Sequence, residues 1–106
     1  MKGLNDLVRQ AQIMHKKMAK VQEEVKTKTV DATSGGGMVT VTATGGQTIQ
    51  AVKIDPSVVD PNDVAMLEDL VLAAVNEALK MARELMESEM SAATGGMSLP
   101  NMPGMF

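Results

Sequence analysis

The chain has 106 residues, a formal net charge of -3, 11 Met, one His, one Phe and no Cys, Trp or Tyr. About 100 residues make one domain with too little core to enclose a large pocket. The absence of cysteine excludes disulfide scaffolds, thiolate zinc sites and thiol nucleophiles, and with one histidine it leaves a thin repertoire for acid-base catalysis.

The first segment repeats apolar residues in steps of three and four: Leu4, Leu7, Ala11, Met14, Met18, Val21 and Val25. That is an a/d seam over three heptads, and it predicts an amphipathic helix over about residues 3 to 24. Gln, Lys and Glu fill the remaining positions, as a solvated helix face requires.

The stretch GGGMVTVTATGGQTIQAVKID alternates apolar and polar residues on either side of Gly45-Gly46, the pattern of a two-residue hairpin. A loop there sets Val39 opposite Val52 and Val41 opposite Gln50. A similar loop at Gly35-Gly36 sets Val30 opposite Val41 and Ala32 opposite Val39. Together they predict a three-stranded antiparallel meander with Val30, Ala32, Val39, Val41, Ala43, Val52 and Ile54 on one face. Neither glycine cluster is followed by a helix or by GK[ST], so both read as turns rather than phosphate loops.

Asp60-Pro61-Asn62-Asp63 is a helix entry, and residues 62 to 90 contain no Gly or Pro. Two apolar stripes run along that long helix, Leu67, Val71, Ala74, Ala78, Met81, Leu85 and Leu72, Val75, Leu79, Ala82, Met86. A three-stranded sheet cannot cover both. The surplus predicts a homodimer built around Leu70 to Met86. The expected organisation is a single helix-sheet-helix domain over residues 1–90 and a flexible tail rich in Gly, Met and Pro over 91–106.

The first half of the chain is basic and the second acidic. Lys2, Arg9 and Lys16 share the f position of the first helix, opposite the seam, with Lys17 at g and Lys20 at c. This is a positive ridge with a repeat of about 10 Å, able to neutralise phosphates along a duplex without reading bases. The lack of Tyr and Trp argues against base stacking on single strands. His15 has no partner for a metal site, and the carboxylates of the second helix occupy its solvated face. No catalytic residue, metal or cofactor is expected, nor a small-molecule substrate. No apolar run reaches the roughly 18 residues of a membrane span, and the N-terminus lacks the apolar core of a signal peptide.

The opening LVRQAQIMHKKMAKVQEEV, the segment GGGMVTVTATGGQTIQAVKIDPSVVDP and the following LEDLVLAAVNEALKMARELMESEM resemble the YbaB/EbfC family of bacterial nucleoid-associated proteins, over about residues 4 to 97. The ending GGMSLPNMPGMF is similar to that family's Gly-Pro-Phe ending. The resemblance implies an α+β fold forming a tweezer-like homodimer with projecting helices, double-stranded DNA as partner, no enzymatic activity and a place in the cytoplasm and nucleoid. It points to Lys2, Arg9, Lys16, Lys17 and Lys20 as DNA contacts, with Lys80 and Arg83 from the second helix. The alternative reading is a protein-interaction module in DNA repair or recombination, with incidental DNA affinity. A small hydrolase tied to the acidic helix has no cleft-forming motif behind it.

Overall fold

Helix α1 (Lys2–Val25) leads into three strands, β1 (Thr29–Ser34), β2 (Val39–Thr44) and β3 (Ile49–Ile54), and a second helix α2 (Val64–Ala93) closes the chain. These elements come from a computed structural model, which describes residues 2–95. The strands form one antiparallel sheet in the order β1-β2-β3. An N-terminal helix, a meander and a long C-terminal helix are the expected α+β architecture.

The core is built on small residues. Ala32, Val39, Val41 and Ala43 on one face of the sheet meet Ala74, Ala78 and Ala82, one turn apart along α2, and all seven are buried. A row of alanines lets the helix axis approach the strands closely, so apolar contact is gained with short side chains. Helix α2 lies over β1 and β2 and leaves β3 largely uncovered. Val52 therefore stays 45% exposed although it pairs with the buried Val41. The face assignment made from alternation is right, and its coverage is incomplete at this strand.

Both hairpin registers differ from expectation by two residues. Ala32 pairs with Val41 rather than Val39, and Val39 pairs with Ile54 rather than Val52. The cause lies in the turns, each of which spans four residues. In the first, Gly35, Gly36 and Gly37 all take positive φ and Gly37 N–H donates to Ser34 C=O at 3.2 Å. In the second, Gln47 and not a glycine has positive φ (64°), the Gln47 and Thr48 amides return to Thr44, and a bulge follows at Thr42/Ala43. A shift of two preserves which face each residue occupies.

Helix α2 begins at Val64 because Asp63 caps it, its carboxylate accepting from Met66 N–H. Asp60 and Pro61 form a separate turn, in which the Asp60 carboxylate accepts from Asn62 N–H. The helix continues to Ala93, beyond the expected residue 90, and Met90 and Ala93 are buried. Gly95, at φ 68°, follows its end. Ser34 Oγ donates to Leu70 C=O at 2.6 Å and joins the end of β1 to the early turns of α2. At the opposite end of the sheet, Gly45 N–H donates to Lys28 C=O at 2.8 Å, in the turn that leaves α1.

Helix α1 runs back along the last turns of α2: Met18 and Gln22 line one cavity with Met86 and Met90. Val25 is buried and Met14, Met18 and Val21 are half-buried, whereas Leu4 and Leu7 are 61% and 65% exposed. Among the described residues only the second half of the seam is covered. The rest projects past the end of α2 and stretches the molecule to 74 Å against 24 and 17 Å in the other directions. Between β3 and α2 a Pro56–Val58 3-10 turn is capped by Asp55, and Ser57 N–H and its hydroxyl hold that carboxyl below its usual range.

Candidate nucleic-acid interface

The ridge on α1 is exposed along its described length. Arg9, Lys16, Lys17 and Lys20 are all solvent-accessible, and among the described residues none of them lies in an ion pair. The reason is local in the sequence: between Asp6 and Glu23 there is no carboxylate at all. Arg9 and Lys16, seven residues apart, sit about 10.5 Å from each other along the axis, and Lys20 continues the line one turn later. Lys2 opens the helix, but its side chain lies outside the described part of the molecule.

Other cations are already engaged. Lys26 pairs with Glu23 at 3.4 Å and Lys28 with Glu89 at 2.9 Å. Lys80 stands 4.0 Å from Glu84, a looser pair. Arg83 is exposed and lies in no ion pair among the described residues, and it lines the cavity between the two helices and the β2–β3 turn beside Gln22, Gln47 and Glu87. The seven expected contact residues therefore do not form one patch. Those described on α1 make a ridge facing away from α2, and Arg83 belongs to the groove on the inner side.

Two features of this surface were not singled out from the sequence. Ile13, 59% exposed, stands on the ridge side of α1 between Arg9 and Lys17 at four-residue spacing. Lys53 is an exposed cation on the outer face of the sheet, opposite Thr40, with no ion-pair partner among the described residues. Its position follows from the alternation along β3, which set Val52 and Ile54 on the other side.

No group of three or more His, Asp or Glu side chains suited to a metal ion occurs among the described residues. His15 is exposed, as expected of a helix-surface histidine. No helix among the described residues is long and apolar enough to cross a membrane.

Against this geometry stand the relationships to known proteins. Residues 1–97 match the model of the YbaB/EbfC DNA-binding family. A nucleoid-associated protein of Acetivibrio thermocellus is 56% identical over 104 residues, covering 98% of this chain and 90% of the relative. One from Ruminiclostridium cellulolyticum is 51% identical over the same length, covering 98% and 89%. The crystal structure of an uncharacterised protein, HP0035 of Helicobacter pylori, superposes with a TM-score of 0.61 at 26% identity, over 74% of this chain and 90% of that one.

Proposed function

The chain belongs to the YbaB/EbfC DNA-binding family, and on that footing we propose that it acts as a homodimer that binds double-stranded DNA by neutralising backbone phosphates. The binding groups are Arg9, Lys16, Lys17 and Lys20 on the projecting part of α1, with Lys2 at its start. Lys80 and Arg83 supply secondary contacts from α2. The observation that carries this reading is the run of four exposed cations with no carboxylate between Asp6 and Glu23, on a protein whose net charge is negative. A phosphate arriving at those four displaces no ion-pair partner among the described residues. Elsewhere Glu23, Glu84 and Glu89 already stand beside the lysines they pair with.

Exposed apolar surface on the sheet and α2 supports the dimer. Ile54, Leu67, Val71, Leu72 and Val75, together with Glu68, line a mainly apolar groove along the flank of α2, next to the largely uncovered β3. Leu72 is 59% exposed there and Val52 45%. A second copy placed on this groove covers the stripe that the sheet leaves bare, and two ridges in one particle are suited to bridging or bending duplexes. The chain does no catalysis in this reading, and it works in the cytoplasm, on the nucleoid.

Electrophoretic mobility of a duplex across a salt series tests it. With four to six phosphate contacts per dimer the log-log slope of affinity against salt is about -4 to -5, and affinity falls by about two orders of magnitude or more between 50 and 200 mM. Binding that stayed constant over that range would rule the mechanism out.

A further inference from the structure

The projecting half of α1 carries an apolar face that no described residue covers. Leu4, Leu7 and Val8 are 61%, 65% and 50% exposed, Ala11 is exposed and Met14 is half-buried. Past Met14 the last turns of α2 take over the same seam, where Met18 meets Met86 and Met90. We propose that the bare face pairs antiparallel with the same face of a second copy, Leu7 of each helix meeting Ala11 of the other, and that this contact joins neighbouring particles rather than the two protomers of one.

Charge and shape select that occupant. Leu4, Leu7, Ala11 and Met14 have the a/d spacing of a two-helix coiled coil over about 15 Å, and the set is complementary to itself under a two-fold axis. Pairing in this register sets Leu4 against Met14 and the large Leu7 against the small Ala11. Val8 at e and Gln10 at g flank the seam, each facing its own copy, and neither is charged. The charges between residues 4 and 14, Asp6 and Arg9, stand at c and f, away from the seam. A second copy therefore meets no like charge, and DNA finds its cations on the opposite side.

Helix α2 sets the direction of pairing. A parallel partner would run on past Met14 into the space that α2 fills, whereas an antiparallel one ends there. The two-fold axis of an antiparallel pair is perpendicular to α1 and passes between Leu7 and Ala11. The apolar groove at Leu72 lies about 30 Å back along α2 from Ala93, so one axis cannot serve both contacts. With so few side chains per copy, the contact falls short of the roughly 1,200 Å² that a stable interface buries. Its Kd in free solution is about 0.1–1 mM, and it fills when DNA holds particles side by side. The inference rests on the dimer only for the number of chains in each particle.

Sedimentation velocity of the full chain without DNA, from about 10 µM to about 2 mM, tests it. The wild-type mass about doubles toward the upper concentration, and the uncharged variant Leu7→Gln/Val8→Gln keeps the low-concentration mass throughout, with an unchanged circular dichroism spectrum. The chain has no cysteine, so Gln10→Cys offers one thiol, which a short bismaleimide links to its copy at the high concentration and not at the low one. On a duplex long enough for several particles the wild type fills cooperatively. The double variant loses that cooperativity and binds a single-particle duplex within about twofold of wild type. A wild-type mass constant to the highest concentration overturns the proposal, and so does a double variant that gains mass as the wild type does, since the contact then lies elsewhere. Gln10→Cys that links equally at both concentrations overturns it as well, because the two faces then meet within one particle. If the dimer itself fails, the mass rises from one chain to two, and the contact is read from the same curve.

Discussion

The Lys28 ammonium stands 2.9 Å from the Glu89 carboxylate and ties the entry of β1 to the last turns of α2 across 61 residues of sequence. The other two ion pairs among the described residues, Glu23 with Lys26 and Lys80 with Glu84, are local ones within or just beyond a helix. Because the Lys28 and Glu89 side chains are 50% and 35% exposed, water screens most of the attraction. Glu89→Gln is expected to cost about 0.5 kcal/mol, read as a small fall in the urea midpoint. The pair also occupies a cation near the base of α1. Lys28→Ala should leave the salt dependence of DNA affinity unchanged, whereas loss of Arg9, Lys16, Lys17 or Lys20 should reduce the slope by about one.

A far larger effect is expected at Gly45. A Cβ built there would stand 2.3 Å from Val25 C=O and 2.4 Å from Val25 Cγ1, and Val25 is itself buried at the junction of α1 with the sheet. Neither Gly45 nor Gly46 has positive φ, so close approach, not an unusual backbone, is the reason for a glycine at 45. Gly45→Ala should destabilise the fold by about 3 kcal/mol, which lowers Tm by more than 10 °C in a chain of this size. Gly46→Ala is the control. Its added carbon meets the flexible Lys26 side chain at 3.3 Å, and thermal unfolding should shift little, within about 0.5 kcal/mol.

That glycine illustrates what could and could not be read along the chain. Periods of 3.6 and 2 located both helices and the strands, and alternation put Ala32, Val39 and Val41 on the buried face, because those periods are imposed by backbone geometry. Register was not legible in the same way. It depends on which residue of a turn adopts positive φ, and Gln47 took that place although two glycines precede it. The extent of α1 packing was also hidden, since a seam of uniform spacing carries no mark of where its partner helix ends. The ridge of Arg9, Lys16 and Lys20 was legible from heptad positions alone. The engagement of Lys28 was not, because its carboxylate lies 61 residues away.

Charge reversal on the ridge separates binding from folding. Arg9, Lys16 and Lys20 are exposed and make no described ion pair, so Arg9→Glu, Lys16→Glu and Lys20→Glu combined should leave the circular dichroism spectrum in place and Tm within a few degrees. DNA affinity at low salt should fall by at least about 10³-fold, since each reversal both removes a phosphate contact and adds a repulsion. A triple variant that still shifts a long duplex at wild-type concentrations would move the binding surface elsewhere, with Lys53 on the outer sheet face as the next cation to test.

The bare stripe on α2 sets the last test. Leu72 is 59% exposed and sits with Ile54, Leu67, Val71 and Val75 in a mainly apolar groove that Glu68 also lines. In a lone chain a carboxylate at this position meets water and costs little. Across an apolar interface it is buried without a partner and is strongly unfavourable. Leu72→Glu should therefore convert a particle of two chains into one of a single folded chain, as measured by light scattering at micromolar concentration, with little change in the far-ultraviolet spectrum. Leu7→Glu, on the projecting half of α1, should leave the mass at two chains. The single-chain variant keeps every ridge cation but loses the second ridge of the particle. Its DNA affinity should accordingly drop by about 10²-fold, with a salt slope near half that of the wild type. A wild-type chain that scatters as one molecule at these concentrations would refute the dimer, and a Leu72→Glu variant that remains two chains would place its interface on another surface.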